Sequence, residues 1–150
     1  MLNEKLEILT ENDIELIKKT RENIRKDFNY DTHPVSVGIL DNDNNIYFGL
    51  SIKTPNGNNI CGEPIAFSTA QNNSKTKKYK SIVAIKGKFQ PEKIIPPCGI
   101  CRELFNFHCP DIDVIIDIEK IGLRKIKAKY LLPYPYFSTR YPERFEKLKK

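Results

Sequence analysis

Two short segments constrain the fold of this chain more than anything else in it: Cys61-Gly62-Glu63 and, a few dozen residues on, Pro97-Cys98-Gly99-Ile100-Cys101. Each opens a stretch with helical character. A helix is expected from Gly62 to about Ala70, because Pro64 is tolerated in a first turn. Pro96-Pro97 stops whatever precedes it, and Cys98 to Phe107 then runs at helical spacing, with Ile100, Leu104 and Phe107 able to share a face. A Cys-x-x-Cys pair at a helix start aims both sulfurs at one point, where unpaired N–H groups and the positive dipole end favour thiolates. If Cys61 joins them, three thiolates at about 2.3 Å leave the fourth tetrahedral position of a zinc ion open, which is how catalytic sites differ from closed structural ones. Glu63, two residues past Cys61, can then reach a water at that position and move its protons without binding the metal.

The alternative is a structural zinc site with Cys109 as fourth ligand. Cys109 lies about two helical turns, roughly 12 Å, beyond Cys101, too far to complete a tetrahedron without a sharp bend. It reads instead as a small core residue, with His108 at the helix end.

The rest of the chain supplies a scaffold. Thr10 and Asp13 form a capping signal, and Ile14, Ile17, Ile24 and Phe28 fall on one helical stripe. Val35 to Leu40 and Ile46 to Ile52 read as two strands around a polar turn, followed by a loop over Thr54 to Asn59. Gln71 to Lys80 is polar and loop-like; Ile82 to Ile85 and Val114 to Ile116 have the apolar character of buried strands. Lys120 to Lys129 is consistent with a helix or a strand with basic outer positions, and Leu131-Leu132-Pro133 opens an irregular Tyr- and Pro-rich tail. A chain of 150 residues can bury one sizeable core. Helices alternating with strands, with no repeats, imply one α/β domain over residues 1–150, layered around a single sheet.

The formal net charge is +6. The excess sits at Lys75, Lys77, Lys78 and Lys80, at Arg124, Lys125, Lys127 and Lys129, and in the Lys147 to Lys150 tail. A basic stripe that binds nucleic acid usually interleaves aromatic or arginine groups for stacking, whereas most of this excess is lysine, which favours a solvated surface over a nucleic-acid face. No apolar run approaches the ~20 residues that span a bilayer, and Met1 to Thr10 lacks the marks of a leader, so a cytoplasmic location is expected. Cysteines in such a compartment serve metal binding or catalysis more readily than disulfides.

The cysteine and glutamate pattern resembles the signature of the zinc-dependent cytidine deaminases and their relatives, blasticidin S deaminase among them, in the branch whose first ligand is Cys. The resemblance extends to His33-Pro34-Val35-Ser36-Val37, to Ile46-Tyr47-Phe48-Gly49, to Arg102 after the last ligand, and to Leu131-Leu132-Pro133, covering most of the chain. It implies a three-layer α/β/α fold with a central mixed sheet of about five strands, and one zinc per subunit on Cys61, Cys98 and Cys101. It also implies hydrolytic deamination of a 4-aminopyrimidine, a cytosine nucleoside or analogue, with Glu63 shuttling protons. Backbone groups near Ile60 and Gly62 would bind the ring's polar edge, His33 would stand where the family has a Phe beside the ring, and a homotetramer would be the usual assembly.

Departures mark the substrate side. Where the family's second strand carries Asn-x-Glu for ribose hydroxyls, this chain has Ser51 and Lys53; Pro64 replaces the Arg that often follows the glutamate. An ammonium cannot accept from a sugar hydroxyl, but it can pair with a carboxylate or phosphate. Two other functions remain open at this point: a deaminase editing bases in single-stranded nucleic acid, and a zinc-bound module without turnover.

Overall fold

A computed structural model describes residues 2–149. Its first helix, α1 (Glu11–Asp27), begins where the capping signal puts it: the Thr10 hydroxyl accepts from the Asp13 N–H at 3.3 Å, and the Asp13 carboxylate accepts from the Thr10 N–H at 2.8 Å. The stripe it buries differs from the one expected. Asp13, Leu16, Ile17, Thr20 and Ile24 face inward, whereas Ile14 is 59% exposed and Phe28 lies past the last turn. Thr20 can sit there because its hydroxyl donates to the Leu16 carbonyl at 2.7 Å, and Asp13 because Lys125 donates to it at 2.9 Å. Two satisfied polar residues thus occupy positions that apolar spacing alone assigns to their neighbours.

After α1 come the hairpin strands β1 (Val35–Asp41) and β2 (Ile46–Leu50), then α2 (Gly62–Asn73) and β3 (Tyr79–Lys86). Next are β4 (Lys93–Ile95), α3 (Gly99–His108), β5 (Asp113–Ile118), β6 (Gly122–Lys127) and α4 (Pro142–Leu148). The sheet runs β2-β1-β3-β5-β6, with β4 also paired to β3. It is mixed: β3 and β5 are parallel and the other pairs antiparallel. Six strands replace the five or so expected, because β4 is three residues long and hidden between Pro91 and Pro96. β3 divides its ladder, Ser81 and Ile82 pairing with β5 and Ala84 to Lys86 with β4.

Segment 120–129, which the sequence leaves between helix and strand, contains strand β6, and its lysines do not all point outward: Lys125 is buried between Asp13 at 2.9 Å and Asp113 at 3.1 Å. The polar run after Ala70 contains the last turn of α2 and the start of β3, and the tail forms α4. Lys150, the last of the expected basic tail, lies outside the described residues.

The alternation of strand side chains splits the core into two layers. Leu40, Val83, Ile85 and Ile115 meet Leu16, Ile17 and Ile24 of α1 on one face. Val37, Ile39, Ile82 and Val114 meet Ala66, Ala70, Cys101 and Phe105 of α2 and α3 on the other. The arrangement is α/β/α. Since α2 leads into β3, α3 leads into β5, and those two strands are parallel on a shared face, both helices begin at the same end of the sheet.

Candidate active site

Cys61 and Cys98 are the N-cap residues of α2 and α3, so the parallel arrangement of β3 and β5 brings them together across 37 residues of sequence. The approach is tight because of two glycines. A Cβ on Gly49 of β2 would strike the backbone of Gly62 and Ala66, and one on Gly62 would strike Val37, so the first turn of α2 lies almost flat on the hairpin. Cys101 follows one turn into α3 and is fully buried.

The Cys61 and Cys98 sulfurs are 3.6 Å apart, as are those of Cys98 and Cys101, and all three lie within 4.8 Å of one another. Sulfurs bound at 2.3 Å to one tetrahedral ion would be about 3.8 Å apart, so the donor set fits zinc. Its electrostatics fit too. Burial, the Cys98 thiol and the Glu63 carboxylate push the Cys61 thiol up to about 11, and burial with Glu63 and Cys61 raises Cys101 further still. Cys98 moves the other way: burial opposes it, but the N–H groups of Cys101 and Ile100 and the two neighbouring thiols stabilise its anion. A divalent cation would supply the positive charge that joint ionisation of the three thiols lacks, and its binding would release their protons. Cys109 is not part of it: it caps the end of α3 and packs against the core, burial alone pushing its thiol up to about 12.

Glu63, in the first turn of α2, is 6% exposed. Burial raises its pKa, and hydrogen bonds from its own N–H and the Cys101 thiol pull the other way. Glu63, Cys61 and Cys98 bound a cavity of about 190 Å³ whose remaining wall is largely apolar, formed by Pro34, Val35, Ile52, Ile60, Ile95 and Pro96. That is smaller than the ~300–1,000 Å³ of sites that enclose a drug-sized ligand, so it has room for a flat ring while the rest of a ligand stays outside. Larger hollows of about 540 and 690 Å³ beside the C-terminal half of α2 contain none of these groups.

The expected substrate-side residues separate into three groups. Ser51, Lys53 and Gly62 line the cavity. Ile60 does as well, and its N–H and carbonyl are both bonded to Ile52, at 2.8 and 2.9 Å. His33 is not in the wall; its Nδ1 donates to the Ser51 carbonyl at 2.9 Å, which commits the ring to holding that strand end. Val35, Asn59, Ile95 and Pro96 escaped the sequence reading. Only the apolar β4 and the Pro-Pro stop could have signalled them. Arg102 donates to the Pro97 carbonyl at 2.9 Å and to the Leu131 carbonyl at 3.3 Å, bracing the residue before Cys98 against the tail.

No family model matches the chain. The blasticidin-S deaminase of Bacillus cereus is 28% identical over 134 residues, covering 85% of this chain and 94% of that protein. Among solved structures, the cytidine deaminase of Bacillus anthracis superposes with a TM-score of 0.69 at 20% identity, over 92% of this chain and 99% of its own. The cytidine deaminase of Mycobacterium leprae does so with a TM-score of 0.65 at 21% identity, over 83% and 100%. Sequence kinship, fold and thiol geometry agree: the chain is a homologue of blasticidin-S deaminase built on the cytidine deaminase fold.

Proposed function

We propose that the chain is a zinc-dependent hydrolytic deaminase that converts a cytosine nucleoside or analogue, such as cytidine, deoxycytidine or blasticidin S, to its 4-oxo product with release of ammonia. The observation that carries this reading is a cluster of three cysteine sulfurs beside a buried carboxylate, with Cys61, Cys98 and Glu63 bounding a ring-sized cavity.

Zinc held one per subunit by Cys61, Cys98 and Cys101 would act as a Lewis acid and lower the pKa of a bound water toward about 7, less strongly than with neutral ligands because the thiolates donate charge. Glu63 would accept one proton from the attacking water and pass it to the ring nitrogen, then take the second from the newly added hydroxyl as the 4-oxo group forms and pass it to the amine, which leaves as ammonia, a role worth ~10²–10⁴ in rate. Pro34, Val35 and Ile95 exclude water around the ring. Ser51 accepts from the Val35 N–H at 3.0 Å and keeps its own proton for the substrate. Gly62, in the first turn of α2, offers an N–H with no partner inside the helix. Lys53 faces the part of the substrate beyond the ring, and His33 acts through Ser51.

A small molecule is favoured over nucleic acid. Lys125, Lys127 and Lys129 are paired with Asp13, Asp113 and Asp111, and Lys77 and Lys78 line hollows beside the C-terminal half of α2, so these basic clusters of the sequence are not gathered at the cavity. The homotetramer remains the proposed assembly, for which Ile100, Tyr134 and Tyr136, each at least 79% exposed, offer apolar surface. The cytoplasm is the proposed compartment, since three reduced thiols are required.

The decisive experiment compares ammonia release from cytidine, deoxycytidine and blasticidin S by the wild type and by Glu63→Gln. The variant is expected to bind zinc normally and to turn over ~10²–10⁴ more slowly. Undiminished turnover in the variant, or none in the wild type with zinc bound, would reject the assignment.

A further inference from the structure

Two lysines converge on one exposed ring beside the cavity. Lys53, in its wall, places its ammonium 5.0 Å from the centroid of the Tyr30 ring and donates to the Tyr30 carbonyl at 3.4 Å. Lys88, from the turn after β3, places its own 5.2 Å from the same centroid. Among the described residues neither has a carboxylate at ion-pair distance, although Asp31 adjoins Tyr30 in sequence; elsewhere the lysines of β6 are neutralised by aspartates. Two ammoniums are therefore attracted to one aromatic ring, at 5.0 and 5.2 Å from its centroid, and among the described residues no carboxylate neutralises either of them at ion-pair distance.

The backbone fixes this group relative to the cavity. The Lys53 N–H donates to the Thr32 carbonyl at 2.8 Å, and the Gly87 N–H donates to the Pro34 carbonyl at 3.0 Å, so the segment carrying Tyr30 is tied on one side to Lys53 and on the other to the turn that bears Lys88. The cavity takes only a ring, and Lys53 is the cationic side chain among its lining residues, so it is placed to meet an anionic group attached to that ring.

The geometry points to Lys53, Tyr30 and Lys88 as an anion clamp that selects substrates bearing a carboxylate or phosphate on the part that remains outside the cavity. Lys53 makes the direct contact, Lys88 adds charge, and Tyr30 positions both. The inference rests on the deaminase reading for its substrate but not for its test, because the clamp can be measured by binding alone.

The experiment compares cytidine, cytidine 5′-monophosphate and the 5′-carboxylic acid of cytidine as substrates at low salt, and the matching uridine compounds as ligands by calorimetry, for wild type, Lys53→Ala, Lys88→Ala and Lys88→Glu. The wild type is expected to favour the anionic member of each pair. Each lysine removed should lower the anionic-to-neutral ratio about three- to tenfold, Lys88→Glu more than Lys88→Ala, and added salt should erase the difference. The phosphate and carboxylate arms show which anion fits. Ratios unchanged within twofold in all variants, or a wild type indifferent to charge, would overturn the clamp. If nothing is turned over, the deaminase reading falls and the calorimetric ratios still decide this one.

Discussion

Replacing Gly49 by alanine tests whether the seat of α2 sets the metal site. A Cβ at Gly49 would stand 2.5 Å from the Gly62 carbonyl oxygen and 2.9 Å from Ala66 Cα, and would come nearer still to the Ala66 nitrogen. All three are backbone atoms and cannot rotate away. Ordinary contact begins at 3.4 Å, so α2 must lift by about 1 Å at its first turn, the turn that carries Cys61 and Glu63. Overpacking of this kind costs about 1–3 kcal/mol of stability. The functional loss should be larger. Metal–ligand distances tolerate only about 0.2 Å, and a 1 Å misplacement of reacting groups costs about 10²-fold in rate. Urea denaturation, zinc content after a chelator challenge, and kcat on a cytosine nucleoside would be measured on the same preparation. Gly99→Ala is the control: it lies in the first turn of α3 beside Cys98, yet a Cβ there meets nothing within 4 Å, so it should retain zinc and activity. A Gly49→Ala protein with the zinc retention and rate of wild type would show that the hairpin does not position α2.

Two further substitutions probe the remaining assignments. Cys109→Ala should leave one zinc per chain and cost about 1 kcal/mol of packing, as read by metal analysis and denaturation; loss of zinc would make Cys109 a ligand after all. Lys125→Ala strands two buried carboxylates and should cost about 3–5 kcal/mol near neutral pH. Burial opposes ionisation of Asp13, but the Thr10 N–H and Lys125 outweigh it and hold its pKa below 3.8. A depressed folded pKa contributes stability above the unfolded value and loses it as pH falls through the folded one, so the gap between wild type and variant should narrow below about pH 4. Denaturation curves showing an equal gap at pH 7 and pH 3 would contradict this.

The metal site was legible because its signals are local. A cysteine before a helix start, a proline that fixes the start, and a glutamate in the first turn each declare themselves within a few residues. The two halves meet because the strands that follow them are parallel neighbours, a topology that alternating helices and strands already favour. What stayed hidden depends on distant partners. The burial of Asp13 is inexplicable without Lys125, 112 residues away, so the α1 stripe could not be phased from apolar residues. Helical spacing lets Ile100, Leu104 and Phe107 share a face but does not say which face is buried: Cys101, Phe105 and Asn106 take the inner one, and Ile100 is 79% exposed. The helix α4 was masked by the tyrosines and prolines that precede it; in the structure the Tyr136 and Phe137 N–H groups are held by the Glu103 carboxylate, at 2.9 and 3.0 Å.

The same division between local and distant determinants separates reaction from specificity. The groups that would perform the chemistry are confined to two helix starts whose geometry allows little variation: three sulfurs within 4.8 Å of one another and a carboxylate two residues past the first. The groups that face the rest of the substrate come from the end of β2, the 28–33 segment and the turn after β3, joined to one another mainly by single backbone hydrogen bonds. Changes there would alter charge while leaving the three sulfurs and the glutamate in place. It follows that Lys53→Glu should reverse the charge preference of the enzyme and leave its zinc content as it was. Loss of zinc in that variant would mean that the outer wall and the metal site are not separable.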